Sequence, residues 1–545
     1  MGFMTLATLL LFVPAVVAEN PIAQTVFTAD PAPMVYKERV YCYTSHDEDV
    51  LINSFFTMKD WWCFSTTDMV NWVNHGAVAS LKDFSWAGSN GAWAVQCVER
   101  NGKFYLYCPV HMKGIGVLVA DSPLGPFSDP LKKPLLPESG GEIDPTAFID
   151  DDGQAYLYWG NPDCKYVRLN EDMISYSGGI QKQPMTVASF GTRSDSDRPT
   201  SYEEGPWFYK RNDLYYLVFA GGPISEHIAY STGSSPTGPW KYGGVIMSNI
   251  PSRAFTNHPG VCDYKGNSYL FYHNQKLSND GFKRSVCVER FSYGADGKIP
   301  QISASASGPA QVGTLNPYDT VQAETICQEK GVEIETCSEG GVSVGDIQNG
   351  EYIKVKGVDF TSDGARSFEA RVASNTGGGK IELHLDGENG TLIGTCDVQG
   401  TGGMQSWTTE TCSVSGATGK HDLYLKFTGG SGSLFNFNWW KFTPVTIGIV
   451  AMRESVVPKE NKLHVATGRT GVTTLQLDLS LEQGETKVTV QLFGMNGRLL
   501  ATLFNGTVAS ENLVLPVASR LGTGGYVVRV LSQGSTVLNK VVTIE

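Results

Sequence analysis

Charge is scarce in this chain of 545 residues, because Asp, Glu, Lys and Arg together make up only 18% of it. Basic residues are the scarcer kind, 42 against 55 acidic ones, and the net charge is −13. Nucleic-acid affinity depends on Lys and Arg that neutralise phosphates, so this balance argues against a phosphate-binding protein and predicts no nucleic-acid partner. Hydrophobic residues reach 41%, which excludes wholesale disorder.

A hydrophobic run long enough to cross a bilayer is also missing, and no membrane span is predicted. Residues 5–18 are uncharged and largely apolar, but they are too few to span a bilayer and suit the core of a signal peptide. Val16 and Ala18 are the small residues that a cleavage site after Ala18 requires. No Lys or Arg precedes the run, so a buried N-terminal segment stays open as the alternative. We predict a signal peptide over residues 1–18 and an exported protein.

The eleven cysteines are odd in number and form no Cys-x-x-Cys pair, so a zinc site is not expected. Cys42 and Cys108 lie in aromatic strand patterns and are predicted to be small buried side chains. Four more come together in a later region: Cys327, Cys337, Cys396 and Cys412. Disulfides are possible there in an exported protein, but their pairing cannot be read from the sequence.

Glycine and aromatic residues are abundant, with 61 Gly, 25 Phe, 23 Tyr and 11 Trp. Many of the aromatics belong to a recurring phrase, a polar turn followed by an aromatic strand: YKERVYCY (36–43), ERNGKFYLY (99–107), DDDGQAYLY (150–158), YKRNDLYYL (209–217) and DYKGNSYLFY (263–272). Each phrase predicts a hairpin. The equivalent tyrosines, Tyr41, Tyr105, Tyr156, Tyr215 and Tyr269, lie 64, 51, 59 and 54 residues apart. Five β units at this spacing predict a five-bladed propeller over residues 24–300.

A set of chemically reactive residues lies eleven or twelve positions before these tyrosines: Asp30, the Trp93–Ala94 pair, Asp144, Glu204 and His258. In four of the five units a Pro or Gly follows directly. Because a propeller places the same point of every blade on one ring about its axis, these side chains should converge at one mouth of the central channel.

Three converging carboxyls suit glycoside hydrolysis, which needs one protonated carboxyl to donate to the leaving oxygen and one carboxylate to activate water or attack carbon. Crowding raises the pKa of at least one carboxyl and keeps it protonated near neutral pH. A calcium site or a solvated acidic rim is the alternative. No Ser-His-Asp elbow, P-loop or HExxH motif competes for the role.

At these residues the sequence resembles glycoside hydrolase family 43. The motifs that carry the resemblance are Ala29-Asp30-Pro31, Ile143-Asp144-Pro145-Thr146 and Glu203-Glu204-Gly205-Pro206-Trp207. The resemblance implies a five-bladed propeller and inversion at the anomeric carbon. It assigns the general base to Asp30, the pKa-tuning carboxyl to Asp144 and the general acid to Glu204. Glu204 stands directly before a Gly, like the other residues of the repeat that a Pro or Gly follows, whereas Glu203 stands one residue earlier. Glu204 is therefore preferred.

The same resemblance assigns further residues of the site. His258 matches an axial histidine beside a water-coordinated metal ion, commonly calcium, and no cofactor is required for the chemistry. Arg284 matches the arginine that contacts the sugar, whereas the competing Arg290 is interpreted as a surface charge on a strand. Trp93 is either a wall on which a sugar stacks or a core tryptophan.

The family implies pentose linkages as substrates, and the expected function is removal of α-L-arabinofuranosyl residues from arabinoxylan or its oligosaccharides. A β-xylosidase or a dual enzyme is the alternative within the class, and a non-catalytic carbohydrate-binding propeller is the alternative from another class. The inverting mechanism predicts that the base and acid carboxyls lie ~6.5–9.5 Å apart. A monomer is expected.

After a Pro/Gly-bounded linker at 301–317, alternating strands predict a β-sandwich, of jelly-roll type, over residues 318–443. The region resembles carbohydrate-binding module family 6 in five motifs: VQAE (321–324), GGVSVGDIQNGEYI (340–353), IELHLDG (381–387), HDLYLKF (421–427) and FNFNWWKF (435–442). The resemblance implies that Glu324 is a structural calcium ligand and that Asn436 binds sugar. Two positions depart from the pattern, because Asp346 and Met404 stand where the family's cleft has Tyr and Trp. Trp407 either substitutes or belongs to the core.

The last part of the chain, residues 450–545, has short β runs around Gly turns, such as KVTVQLFGMNGRLLATL (487–503) and GTGGYVVRVL (522–531). It resembles the small C-terminal β-sandwich domains that serve as secretion or surface-sorting signals in some Gram-negative bacteria. A β-sandwich spacer is the alternative. The expected location is extracellular, secreted or attached to the surface of a bacterial cell. The expected fold class of the whole chain is all-β.

Overall fold

The computed structural model describes residues 20–248 and 254–445, and in the C-terminal part residues 462–467, 473–478, 486–495, 497–508, 512–517, 524–532 and 535–544. The signal peptide predicted over residues 1–18 lies outside them. Regular structure is almost entirely β, with helical turns at Leu81–Asp83 and Val187–Phe190. No helix in the described part is long and apolar enough to cross a membrane. The all-β prediction is confirmed.

Five antiparallel sheets follow one another along the first part of the chain and form a five-bladed propeller, as predicted. Blade I contains Thr28–Tyr36, Arg39–His46, Asp60–Thr66 and Trp72–Ser80. Blade II contains Gln96–Arg100, Lys103–Val110, Gly114–Ala120 and Leu136–Pro137. Blade III contains Thr146–Ile149, Ala155–Trp159, Lys165–Leu169 and Tyr176–Lys182. Blade IV contains Tyr202–Arg211, Leu214–Gly221, His227–Gly233 and Trp240–Met247, and blade V contains Gly260–Tyr264, Asn267–Asn274 and Ser285–Phe291.

The recurring phrase of the sequence forms the first hairpin of every blade. All five equivalent tyrosines lie in the second strand of their sheets, and the polar residues before them form the turn. Three of these turns are two-residue turns in which both residues have a positive φ: Asn101-Gly102 in blade II, Asn212-Asp213 in blade IV and Lys265-Gly266 in blade V. This turn geometry matches the twist of the flanking strands.

Aromatic and sulfur-containing side chains fill the space between blades. Tyr43 of blade I donates a hydrogen bond to the carbonyl of Pro123 in blade II, and Tyr158 of blade III donates to the carbonyl of Pro236 in blade IV. Cys42 and Cys108 are fully buried, which confirms the prediction for both. The aromatic surplus of the sequence therefore packs the blades against one another.

The chain closes the ring with its first described segment. The Ile22 and Thr28 amides donate to the carbonyls of Val286 and Arg284, and Asn20 donates through its side chain to the carbonyl of Val288. Blade V has three strands of its own, so this segment covers its last strand and then continues directly into blade I. The first and the last blade are joined by hydrogen bonds between residues at opposite ends of the propeller sequence.

The next region is a β-sandwich. Sheet 1 runs in the order Glu333–Thr336, Val342–Gly345, Asn436–Pro444, Ala365–Ala373 and Thr408–Ser413, and Val321–Gln322 also pairs with Asn436–Pro444. Sheet 2 runs in the order Gln328–Lys330, Tyr352–Asp359, Lys420–Gly429, Gly379–Leu385 and Thr391–Val398. Buried apolar side chains from both sheets, among them Phe368, Phe427 and Trp440, form its core.

The sandwich and the propeller belong to one compact unit, residues 1–446. Thr325–Ile326 pairs with Trp72–Ser80 and extends blade I by a strand. Between the two domains, residues 301–317 keep hydrogen bonds to both: the Ile302 amide donates to the Ile246 carbonyl of blade IV, and the Leu315 amide donates to the Gly357 carbonyl of the sandwich.

The second compact unit, residues 447–545, is also β. One sheet contains Lys462–Thr467, Thr473–Asp478 and Asn512–Val517, and the other contains Thr486–Gly494, Leu499–Val508, Gly524–Ser532 and Ser535–Ile544. Its described core includes Val488, Val490, Leu492 and Val528.

Candidate active site

One cavity of about 290 Å³ at the propeller mouth brings the predicted residues together. Its lining includes all six that the sequence placed in the propeller site: Asp30, Trp93, Asp144, Glu204, His258 and Arg284. The register of the hairpin repeat therefore predicted five of these side chains, and the family resemblance supplied Arg284. Phe55, Phe56, Phe255 and Ile224 add an apolar part to the same lining.

The backbone conformation beside these carboxyls recurs in three blades. Asp30, Asp144 and Gly205 have φ values of 55°, 57° and 57°, and each precedes a proline. A non-glycine residue rarely takes this conformation, and a residue before proline is normally extended, so Asp30 and Asp144 are strained. In blade IV the strained position belongs to Gly205, where a Cβ would lie 3.1 Å from His258 Nδ1. Glu204 is therefore offset by one residue from its counterparts.

Asp30 is held as a carboxylate by the groups around it. Arg284 Nη1 donates to one carboxylate oxygen over 3.0 Å, and the Ser45 hydroxyl donates to the other over 2.7 Å. Burial works to raise the pKa of Asp30, but Arg284 and the other polar neighbours outweigh it, and the pKa falls below 3.8. Asp30 is ionised at neutral pH.

Glu204 has the opposite electrostatic environment. Burial raises its pKa from 4.5 to about 7, against the hydrogen bond from Asn161, and the Asp30 and Glu203 carboxylates raise it further. Asn161 Nδ2 donates to Glu204 Oε2 over 2.5 Å. Glu204 thus keeps its proton up to a pH of about 7, where Asp30 has already lost its own.

Asp144 lies in the same cavity and accepts a hydrogen bond of 2.9 Å from the Gly205 amide. Burial, with the charges of Glu204 and Asp30, raises the pKa of Asp144 well above 3.8. Because the Gly205 amide is the one next to Glu204, Asp144 fixes the backbone from which Glu204 projects.

Glu203 also lines the cavity, but its carboxylate is in ion pairs. Arg193 Nη1 contacts Oε2, and Arg198 Nη2 lies 2.7 Å from Oε1. Both oxygens are occupied by guanidinium groups, so neither is free to face a departing sugar oxygen. Among the described residues, Glu204 has no such ion pair and accepts a hydrogen bond from Asn161 instead.

Trp93 and His258 contribute aromatic surface to the cavity. Trp93 stacks on His111, with ring centroids 3.8 Å apart and an interplanar angle of 16°, so one face of its indole is already covered. His258 is buried, and burial lowers its pKa to about 4. Its imidazole is neutral at the pH where Glu204 holds a proton. Arg290 is exposed on its strand, as the sequence predicted.

The sequence did not reveal the residues that hold the site in place. Asp47 is fully buried and accepts hydrogen bonds of 2.9 Å from Arg284 Nε and Nη2, and His273 Nδ1 accepts the Asp30 amide over 3.2 Å. Asn161 accepts from Arg198 and donates to Glu204. The sequence does carry a signal for these supporting residues. The site residues lie at the start of the first strand of each hairpin, and a hairpin places the end of its second strand beside that start. Polar residues that end or follow the second strands would have been candidates.

Glu226 is a further buried carboxyl that no motif indicated. Its Oε2 accepts the Asn257 amide over 2.5 Å, whereas its Oε1 has no partner among the described residues. Burial and the nearby Glu204 carboxylate raise the pKa of Glu226 well above 4.5. Glu226 is therefore neutral and adds no charge beside Glu204.

Asn436, the predicted sugar ligand of the sandwich, is fully buried. Its Nδ2 donates to Glu335 Oε2 over 2.9 Å and to the Met404 carbonyl over 3.0 Å. A sugar would reach this amide only after Glu335 or the 399–407 loop had moved. Trp407 is not in the core: it is half-buried, and its indole donates to the Ser338 hydroxyl.

Glu324 does not fit the calcium site that the sequence suggested. It lines a cavity of about 20 Å³ with Trp72 and Asn74, and three buried polar atoms there have no partner among the described residues: Glu324 Oε2, Trp72 Nε1 and Asn74 Nδ2. Calcium requires six to eight oxygen ligands, whereas two of these atoms are N–H donors. Burial also raises the pKa of Glu324 to about 8. The cavity suits one water molecule, which can accept from both donors.

Comparisons with known proteins agree with this geometry. The model of glycosyl hydrolases family 43 matches residues 18–299, and that of carbohydrate binding module (family 6) matches residues 322–444. The arabinoxylan arabinofuranohydrolase of Bacillus subtilis (strain 168) is 37% identical over 489 residues, which are 78% of this chain and 92% of that protein. A xylosidase/arabinosidase of Bacteroides ovatus is 31% identical over 318 residues, 50% of this chain and 94% of the relative.

Among solved structures, a similar one is the crystal structure of a glycoside hydrolase family 43 arabinoxylan arabinofuranohydrolase from Bacillus subtilis in complex with cellotetraose. The TM-score is 0.69 at 34% sequence identity, and the match covers 79% of this chain and 99% of that one. The similarity thus extends through both the propeller and the sandwich.

Proposed function

Because the chain belongs to the glycosyl hydrolases family 43, we propose that it removes α-L-arabinofuranosyl residues from arabinoxylan or its oligosaccharides, with inversion at the anomeric carbon. The observation that carries the proposal is the opposite ionisation of two carboxyls in one cavity. Asp30 has a lowered pKa and Glu204 has a pKa of about 7, so one carboxyl is ready to accept a proton and the other to donate one.

In the proposed reaction, water attacks the anomeric carbon from one side while the glycosidic bond breaks on the other. Asp30 takes a proton from that water, and Glu204 gives its proton to the departing oxygen. Arg284 keeps Asp30 ionised until the proton arrives, because it donates to the same carboxylate. Asp144 holds the Gly205 amide and with it the position of Glu204. After product release, Asp30 loses its extra proton and Glu204 regains one.

A cavity of about 290 Å³ suits one pentose unit with part of its neighbour, which supports release of single sugars from a chain. Trp93 offers one indole face for stacking, and its other face is covered by His111. Arabinose is our primary proposal because the Bacillus subtilis relative, which is 37% identical over 78% of this chain, is named an arabinoxylan arabinofuranohydrolase.

A β-xylosidase, or a dual enzyme, is the second candidate, and the Bacteroides ovatus relative named a xylosidase/arabinosidase favours it. The deciding experiment is incubation of the full chain with arabinoxylan and, separately, with unsubstituted xylo-oligosaccharides. Free arabinose from arabinoxylan alone supports the first proposal. Free xylose from the oligosaccharides supports the second, and no free sugar from either would indicate a binding propeller without catalysis.

A hydrated cation on the propeller axis is the remaining proposal for the cavity. His258 has a neutral imidazole there, and three carboxyls line the same space, so the donor set is compatible with a cation held through water. A bound cation would supply positive charge near the carboxyls. Comparing activity before and after chelation, with calcium added back, tests this proposal.

We also propose that the enzyme acts outside a bacterial cell, secreted or attached at its surface, and that it is a monomer. The apolar run at residues 5–18 supports export, and the C-terminal β unit supports a sorting or spacer role. N-terminal sequencing of the exported protein tests cleavage after Ala18. Deletion of residues 450–545, followed by fractionation of cells and medium, separates a sorting role from a spacer.

A further inference from the structure

Two cysteines of the sandwich meet at the open edges of its two sheets. Cys396 lies in Thr391–Val398, the edge strand of sheet 2, and Cys412 lies in Thr408–Ser413, the edge strand of sheet 1. Cys412 packs against the apolar core that contains Cys396, and the two thiols are close enough to shift each other's pKa. Among the described residues, each of these two strands is the last one in its sheet.

The backbones around the two thiols are already close. The Ser415 amide donates to the Ile393 carbonyl over 2.9 Å, and a Cβ built on Gly394 would lie 2.9 Å from the Ser413 carbonyl oxygen. The two edge strands therefore lie against each other near the cysteines. A covalent link between the sulfurs requires no rearrangement of strand order.

The two thiols differ in exposure and in acidity. Cys396 is fully buried, whereas Cys412 is half-buried and reachable from solvent. The contact with the Cys396 thiol lowers the pKa of Cys412, and the same contact, with burial, raises the pKa of Cys396. Because the thiolate is the nucleophile in thiol chemistry, Cys412 is the one that reacts first.

We propose that Cys396 and Cys412 form a disulfide that ties the edge of sheet 1 to the edge of sheet 2. The oxidant is a disulfide compound that exchanges with thiols. The Cys412 thiolate attacks one oxidant sulfur, the oxidant S–S bond breaks, and one thiol leaves. Cys396 then loses its proton to solvent and attacks the Cys412 sulfur, which releases the second thiol. The two protein thiols together lose two electrons, and one oxidant disulfide gains them and is reduced to two thiols.

The bond has a consequence for the sugar-binding side of the sandwich. The two edge strands flank the 399–407 loop, and Met404 in that loop accepts the hydrogen bond from Asn436. Oxidation would anchor both ends of this loop, and reduction would release them. The disulfide therefore controls how readily the loop can move away from Asn436.

The experiment uses the purified full chain, reduced with dithiothreitol and then incubated with oxidised glutathione. After denaturation and alkylation with iodoacetamide, trypsin releases residues 381–420 as one peptide that contains both cysteines, because no Lys or Arg lies between Lys380 and Lys420. We expect this peptide to be recovered without alkyl groups and lighter by two hydrogen atoms. The reduced sample should carry two alkyl groups.

Cys412→Ser should abolish the bond and leave Cys396 to be alkylated. Cys337→Ser, which removes another buried thiol of the same domain, should leave the bond intact. A peptide with two alkyl groups after oxidation, or a bond from either cysteine to a third one, would overturn the proposal.

A measurement on the wild-type chain removes any dependence on the folding of variants. In the reduced native protein, Cys412 should react with iodoacetamide at least about tenfold faster than Cys396, because it is the exposed and more acidic thiol. Equal rates, or a faster Cys396, would contradict the order of steps proposed above.

Discussion

The propeller cavity and the surroundings of Asn436 in the sandwich were both predicted from family motifs to bind sugar, but only the first is open. In the cavity, ionisable side chains line a space that a sugar can enter. Around Asn436, both amide hydrogens are already used by Glu335 and Met404. A motif can therefore place a residue correctly in the fold without showing whether the residue is accessible.

The largest effect is expected for Asp30→Asn in the cavity. Loss of the base should lower kcat on arabinoxylan about 10³-fold or more, because positioned proton transfer contributes 10²- to 10⁴-fold. The matched control is Asp150→Asn. Asp150 accepts a hydrogen bond from the Tyr215 hydroxyl at an outer hairpin turn, away from the cavity. The control should retain activity. Substantial hydrolysis by Asp30→Asn would refute the assignment of the base.

Glu204→Gln should be nearly as severe on natural substrates, with a loss of about 10²-fold or more, because the departing oxygen then receives no proton. On an aryl glycoside with a good leaving group the loss should shrink to roughly tenfold, since that group needs little protonation. Initial rates on both substrates give the comparison. Equal losses on the two substrates would mean that Glu204 does not act as the acid.

The pH profile of kcat/KM sharpens the same assignment. Glu204 must be protonated, so activity should fall as the pH rises through about 7. Asp30 must be ionised, so on the acidic side activity should fall only below pH 3.8.

Arg284→Lys removes the paired hydrogen bonds to Asp47 and weakens the contact with Asp30. The pKa of Asp30 should then rise and move the acidic limb to higher pH. An unchanged acidic limb would contradict this role of Arg284.

In the sandwich, Asn436→Ala is expected to have little effect. The ratio of activity on insoluble arabinoxylan to activity on soluble oligosaccharides should stay within about twofold, whereas loss of a sugar hydrogen bond, worth about 1 kcal/mol, would change binding roughly fivefold. Asn438→Ala is the matched control, because Asn438 is a buried amide bonded to Glu339. If only Asn436→Ala lowers the ratio, the loop does open and sugar reaches Asn436.

The smallest effect concerns stability at the junction of the two domains. The pKa of Glu324 is raised from 4.5 to about 8, so its contribution to stability is complete below pH 4.5 and is lost as the pH rises through 8. The Tm of Glu324→Gln minus the Tm of the wild type, measured by thermal unfolding, should therefore increase between pH 5 and pH 9. A Tm difference that is constant with pH would contradict a protonated Glu324.

The sequence was informative where the structure repeats. The hairpin phrase predicted five blades, and its register brought Asp30, Asp144 and Glu204 to one mouth, because equivalent strand positions share a ring. It did not predict Asp47 or Asn161, since these come from loops that differ in length from blade to blade. Their partners, Arg284 and Glu204, lie far away in the chain, so the family motifs did not point to these contacts.

The calcium site predicted at Glu324 shows a second limit of prediction from the sequence. The motif around Glu324 resembles one that binds an ion, but the carboxyl is buried against Trp72 and Asn74 of blade I. Those two residues come from another domain, and their N–H groups change the chemistry of the site. Sequence resemblance within a domain does not report what a neighbouring domain supplies.

The ring closure has a kinetic consequence. Asn20 and Val288 are 268 residues apart in the chain, and their contact joins the first segment of the propeller to its last blade. Contacts of such long sequence separation slow folding, because the loop between them must be closed before they form. During synthesis the propeller therefore cannot complete its circle until blade V has emerged. Until then the first segment has no strand of blade V to bind, and the propeller stays open on that side.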